Sequence, residues 1–270
     1  MEERGFALPL ARAGAGALLF ALPLLMTQEM WEIGFYMEPL RLAVFLAVGL
    51  PLLAGLAYFS GFREDLAWPD AVIDAFVAFA VGAGVAFLLL AVLGVLASPA
   101  SLEEIVRKVA LQAVPAGMGA TLAQTQLGQQ RGSPERRREG TGYAGELFLM
   151  AAGALFLAFN VAPTEEVVLL SYKMSHLHAF LLVPLTLIVM HGFVYGVGFA
   201  GQRRRPEKAS LLAEVVRFTI GGYAAALLVS LFVLWVFQRT DGLGVDLLVV
   251  TTVVLAFPAA IGAAAARLIL

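Results

Sequence analysis

The chain has no cysteine, which excludes disulfides and thiolate-based metal or redox chemistry. Charge is scarce as well. Only 14% of the 270 residues are Asp, Glu, Lys or Arg, while 60% are hydrophobic and the mean hydropathy is +0.86. A soluble domain of this length does not reach such values, because too little polar surface would remain to face water. Period-2 alternation is missing too, which argues against a β-barrel. The apolar residues come in long continuous runs, as in a polytopic α-helical membrane protein. No Gly-x-Gly-x-x-Gly or Walker pattern follows a strand, no HExxH or GxSxG is present, and the basic segments lack interleaved aromatics. Nothing therefore points to a nucleotide site, an enzyme or a nucleic-acid partner.

Eight membrane spans are predicted at about 9–28, 40–60, 71–97, 105–127, 144–163, 178–200, 211–237 and 245–267, each close to the ~20 residues that cross a bilayer. The acidic start Met1-Glu2-Glu3-Arg4 does not read as a cleaved signal peptide, so the first apolar run is expected to stay as a helix. With both termini inside, the arginine-rich segments 131–138 and 203–208 fall on the cytoplasmic side. The outside then receives only Arg41, Arg107, Lys108, Lys173 and Arg239 of the 18 basic residues. It also receives Glu29, Glu32, Glu38, Glu103, Glu104, Glu165, Glu166, Asp241 and Asp246, so the outer face is acidic.

The sequence also matches itself. A shift of 137 residues lays Gly16-Ala17-Leu18 on Gly153-Ala154-Leu155, Thr27-x-Glu29 on Thr164-x-Glu166, and Tyr58 on Tyr195. Gly61-Phe62 falls on Gly198-Phe199 in the same register. Further on, with small loop insertions, Asp74 and Gly82 fall on Glu214 and Gly222, and Pro115 and Gly119 on Pro258 and Gly262. Matching acids, threonines and glycines are harder to obtain by chance than matching leucines. The expected fold is therefore all-α, with two tandem four-helix repeats at 1–127 and 144–270 and a basic cytoplasmic linker at 128–143. An even number of spans per repeat gives both copies the same orientation, related by a pseudo-twofold axis along the membrane normal.

The candidate site lies in the connection between the first two spans of each repeat. In the second copy it reads Asn160-Val161-Ala162-Pro163-Thr164-Glu165-Glu166, then Val167-Val168-Leu169-Leu170. Proline and acids favour the first turn of a helix, so the span is predicted to break near 160–162 and a short helix to begin at Pro163. The first copy has Met26 where Pro163 stands, which predicts a softer break before Thr27-Gln28-Glu29-Met30-Trp31-Glu32. Glu29 and Glu166, with Thr27, Thr164, Glu165 and Glu32, are the candidate ion-binding or selectivity residues. An all-oxygen set suits hard cations or protons, and rings of acids select cations. The competing reading is of interfacial acids that only cap helices. Counted from Gly145, Glu166 lies roughly 32 Å along a straight helix, at the outer boundary, where a carboxylate costs little.

Asp74 and Glu214 form a second matched acidic pair near the cytoplasmic end, either a gate or proton relay or ordinary interfacial charge. His191 lies in mid-span, where a histidine is either functional or hydrogen-bonded between helices. His176 and His178 fall on different helix faces, which argues against a shared metal. Tyr58 and Tyr195 read as belt aromatics. Glycines such as Gly16, Gly82, Gly119, Gly222 and Gly262 supply small faces for close packing.

With the duplication and the Asn160–Glu166 segment in view, the chain resembles a bacterial family of integral membrane proteins of unknown function. The resemblance spans nearly the whole chain and implies membrane residence but no activity or cofactor. The stretch Trp31–Pro39 is similar to the acidic pore signature of mitochondrial-type calcium uniporters. It is one residue short and has Ser175-His176 in place of Glu38-Pro39 in the second copy, so it is set aside. The function expected is transport, by a cation channel or secondary transporter of the bacterial inner membrane. The alternative is a non-transporting scaffold or accessory subunit. Lipid and an inorganic cation are the partners expected, a homo-oligomer is compatible with the sequence, and neither a cofactor nor catalysis is expected.

Overall fold

A computed structural model describes residues 3–59, 67–96, 101–127, 142–196 and 215–269, and among these residues it is helical with no strand. The chain divides into two compact units, Met1–Thr141 and Gly142–Leu270. Of the linker expected at 128–143, residues 128–141 lie outside the described segments, as do both basic stretches.

The first unit contains α1 (Glu3–Leu25), α2 (Gln28–Tyr36), α3 (Pro39–Phe59), α4 (Trp68–Val92) and α5 (Leu102–Leu127). Among the described residues four are long and one is short, so a short helix stands beside the four expected. The central helix is α5, whose residues 111–121 are all buried. Each of the other four helices sets a glycine against it. A Cβ at Gly16 on α1 would strike the carbonyl of Gly119, and one at Gly34 on α2 would meet Lys108. One at Gly49 on α3 would meet Val114, and one at Gly82 on α4 the backbone of Ala113 and Gly117. Lipid tails are as apolar as leucine, so helices in a bilayer associate through close packing, which small residues permit. Ser101 opens α5 by accepting the Glu104 N–H at 3.1 Å, the S-x-x-E arrangement of a capped helix start.

The second unit contains α6 (Tyr143–Val161), α7 (Glu166–Lys173), α8 (His176–Gly196), α9 (Gly221–Val236) and α10 (Val245–Ile269). A π-helical turn, Val215–Ile220, leads into α9. Here α10 is central, and a Cβ at Gly153 on α6 would strike the carbonyl of Gly262. The π-turn is tied down on two sides. The Tyr143 hydroxyl donates to the Arg217 carbonyl at 3.0 Å, and Thr219 is hydrogen-bonded to His191 Nδ1 at 3.0 Å.

Among the described residues, seven helical stretches are long and apolar enough to cross a membrane. The expected span at 105–127 forms a long helix, α5, but is not among them, because Glu103, Glu104, Arg107 and Lys108 occupy its first two turns and Gln112, Thr121, Gln124, Thr125 and Gln126 lower the hydropathy of the rest. The faces turned away from each core are apolar. Phe76 is 56% exposed, Phe180 72% and Leu228 70%. Contiguous surfaces of this kind would be unstable in water and belong against lipid.

Candidate functional site

In both units the long first helix stops before the short one by the same device. The Thr27 hydroxyl donates to the Leu24 carbonyl at 2.9 Å, and its N–H bonds the same oxygen at 3.2 Å. The Thr164 hydroxyl donates to the Val161 carbonyl at 2.8 Å, with its N–H at 3.1 Å. Each threonine thus closes a tight turn on a carbonyl that a helix end leaves without a donor. The break expected in the second copy is present, with α6 ending at Val161. The next helix begins at Glu166 rather than at Pro163, because the Thr164 turn intervenes. The first copy breaks as cleanly: α1 ends at Leu25 and α2 begins at Gln28.

The acids open the short helices. Glu29 lies half-buried in the first turn of α2, and Glu32, one turn on, is exposed and accepts a hydrogen bond from Gln28 Nε2 at 2.7 Å. Glu165 and Glu166 are exposed at the start of α7. Four unpaired N–H groups and the positive end of the helix dipole favour carboxylates there. No group of three or more His, Asp or Glu that could hold a metal occurs among the described residues. The carboxylates therefore stand at the start of each short helix and are not gathered into a coordinating cage.

The other candidates fall elsewhere. Asp74 is half-buried on α4. Glu214 lies outside the described residues, as does the side chain of Tyr195. His191 joins α8 to the π-turn. His178 caps the start of α8 through Ser175, whose hydroxyl lies 2.8 Å from Nδ1. Tyr58 packs edge-on against Phe59 and Trp68, as a belt aromatic does.

Two polar clusters escaped the sequence reading. The first is on α5, where Glu104, Lys108 and Gln112 follow one another at one-turn spacing. Lys108 is only 8% exposed, pairs with Glu104 at 2.6 Å and reaches the Val95 carbonyl at 3.5 Å. Arg107 beside it donates to the Met37 carbonyl at 3.2 Å, at the end of α2, and pairs with Glu103. Gln112 is 1% exposed, and its Oε1 has no partner among the described residues. Spacing by four within an apolar span was the available signal. The register that sets Pro115 on Pro258 puts Leu247, Thr251 and Leu255 at these three places in α10. The second cluster joins Asn160 at the end of α6 to Gln238 and Arg239 in the turn after α9, where Arg239 donates to the Pro163 carbonyl. The sequence separation of 76 between Pro163 and Arg239 gave no local sign of it.

Apolar helices in two units, exposed apolar faces and charge gathered at helix ends define a multi-span α-helical integral membrane protein. Residues 9–270 match the family described as "Putative integral membrane protein (DUF2391)", whose function is unknown, and the chain belongs to that family. No curated protein and no solved structure matches it.

Proposed function

We propose that the chain is a membrane transport protein for an inorganic cation, a channel or secondary transporter with an acidic rim at its outer mouth. The observation that carries the reading is the double occurrence of one device: a long helix interrupted, a threonine closing the turn, and a short helix opening on an acid. Interrupted helices beside charged groups are the form that ion sites take in membrane transporters. In this reading Glu29 and Glu166, with Glu32 and Glu165, raise the local cation concentration at the mouth and do not strip the ion of its water. Asp74 and Glu214 remain the proposed inner gate.

The architecture proposed with this function is a tandem duplication in one orientation, each unit adding its short helix to four long ones. Long helix packing favours it, since Gly16 meets Gly119 in one unit as Gly153 meets Gly262 in the other. We assign α5 as the eighth transmembrane helix, with Arg107 tied to the Met37 carbonyl at the end of α2 and Lys108 to Glu104 and the Val95 carbonyl after α4. The bacterial inner membrane, with both termini cytoplasmic, is the location proposed on the positive-inside pattern. No cofactor and no catalytic role are assigned.

A second reading, a non-transporting scaffold or accessory subunit, is favoured by one observation. Both threonine hydroxyls already donate to carbonyls and the acids are largely exposed, which is what helix caps alone would show. Cation flux into liposomes containing the purified protein separates the two. Transport predicts flux that falls at least tenfold in the Glu29→Gln/Glu166→Gln double variant. An absence of flux supports the scaffold, and flux unchanged in the double variant removes the acids from the pathway.

A further inference from the structure

The turns that follow α4 and α9 are built alike. After α4, the Leu93, Gly94 and Val95 N–H groups bond the carbonyls of Leu89, Ala91 and Leu90. After α9, those of Phe237, Gln238 and Arg239 bond Val233, Trp235 and Leu234. Both turns need a left-handed residue at the second position. The first unit uses Gly94, at φ +74°, and the second uses Gln238, at φ +61°, the one non-glycine residue with positive φ among those described. Glycine adopts this conformation without strain, and a glutamine does not. The second unit therefore holds a strained residue where its counterpart uses the natural one.

The same place gathers unsatisfied polar atoms. Asn160 Oδ1, Gln238 Oε1 and Arg239 Nε are buried without a hydrogen-bond partner among the described residues. Asn160 Nδ2 donates to the Phe156 carbonyl at 2.8 Å, which fixes the amide with its oxygen toward the junction. Beneath these groups the buried rings of Phe159 and Phe237 stack with centroids 6.0 Å apart. Above them Arg239 bonds the Pro163 carbonyl. In the first unit the corresponding residues are Pro23, Gly94 and Val95, with Leu22 and Leu93 exposed where the two rings stand. Among the described residues, that counterpart has no strained residue and no unsatisfied side chain, and its aromatic is Trp31, whose indole N–H donates to the Leu25 carbonyl at 2.8 Å.

We propose that the junction of the α6 end with the turn after α9 is a gate. It is held shut by Arg239 on the Pro163 carbonyl and by the Phe159–Phe237 contact. It opens to admit water to Asn160, Gln238 and Arg239. The closed junction offers two acceptors and one donor no protein partner and holds one backbone residue left-handed, so water admitted on opening meets groups the protein does not. Water can donate to the amide oxygens and accept from the guanidinium. The opened junction lies beside Thr164–Glu166, so the proposal deepens the transport reading by giving the acidic rim of the second unit a moving part. Its test reads opening and not flux, so either idea can fail alone.

The experiment is hydrogen–deuterium exchange of the full chain in lipid nanodiscs, followed by mass spectrometry. Peptides covering 159–166 and 237–241 are compared with 22–29 and 93–96. The gate predicts exchange at least tenfold faster at the second-unit junction. Asn160→Leu and Gln238→Met, which remove an unmet acceptor at similar volume, slow that exchange several-fold. Arg239→Met removes the latch and speeds it. The first-unit peptides stay unchanged in each variant and report on folding. Equal rates at the two junctions in the wild type overturn the proposal, and so do rates insensitive to all three variants.

Discussion

At the scale of single residues, positions 27, 164 and 238 show what the backbone requires of a side chain. The threonine hydroxyls donate to carbonyls three residues back, at 2.9 and 2.8 Å, where a helix has run out of donors. Thr27→Val or Thr164→Val keeps the shape and deletes the donor, so each should lower stability by about 1 kcal/mol in a thermal melt. If they only close the turn, neither substitution alters cation selectivity. Gln238 works the other way. A left-handed non-glycine residue costs on the order of 1–2 kcal/mol. Gln238→Gly removes that strain and an unmet buried acceptor, against roughly 0.5–1 kcal/mol of chain entropy. The variant should therefore melt a few degrees higher, and a lower melting temperature would show that the glutamine stabilises the turn.

At the scale of elements, the two central helices are alike in packing and unlike in charge. Gly16→Val and Gly153→Val each press a branched side chain into a neighbouring backbone, and overpacking of this kind costs about 1–3 kcal/mol or more. Equal losses in the two variants, measured by denaturation in detergent, are expected from the matching contacts on Gly119 and Gly262. On α5 the pair Lys108–Glu104 adds a test without counterpart in α10. Lys108→Met leaves a carboxylate partly buried, Glu104 being 20% exposed in its side chain. A loss of about 1–3 kcal/mol is expected, recovered in part by adding Glu104→Gln. The long helices were legible because an unbroken apolar run of span length has no stable place outside a bilayer. Why α5 is polar at its start was not, since Arg107 finds its carbonyl partner at Met37, 70 residues back. The short helices were legible as breaks, from Pro163 and the acids. Their first residues were not, because a proline serves the turn before a helix as readily as its first turn.

At the scale of the whole molecule, the duplication read from Thr27-x-Glu29 and Thr164-x-Glu166 led to a part that is shared and a part that is not. The threonine turns and glycine contacts recur in both units. The Lys108 stripe belongs to the first unit alone and the Asn160–Gln238–Arg239 junction to the second. In the proposed transport reading, two like units with one specialised feature each suit an asymmetric cycle. Those features left no mark in the self-match of the sequence, which registers only sameness. The acidic rim requires both short helices to open on the same side of the membrane. The cysteine-free chain makes this directly measurable. Single cysteines placed by Glu32→Cys and Glu165→Cys are labelled with a membrane-impermeant maleimide in intact cells, with Tyr143→Cys at the opposite end of α6 as the control. The account predicts that both rim positions label from outside and that position 143 labels only after the cells are opened. Labelling of positions 32 and 165 from opposite sides would contradict it.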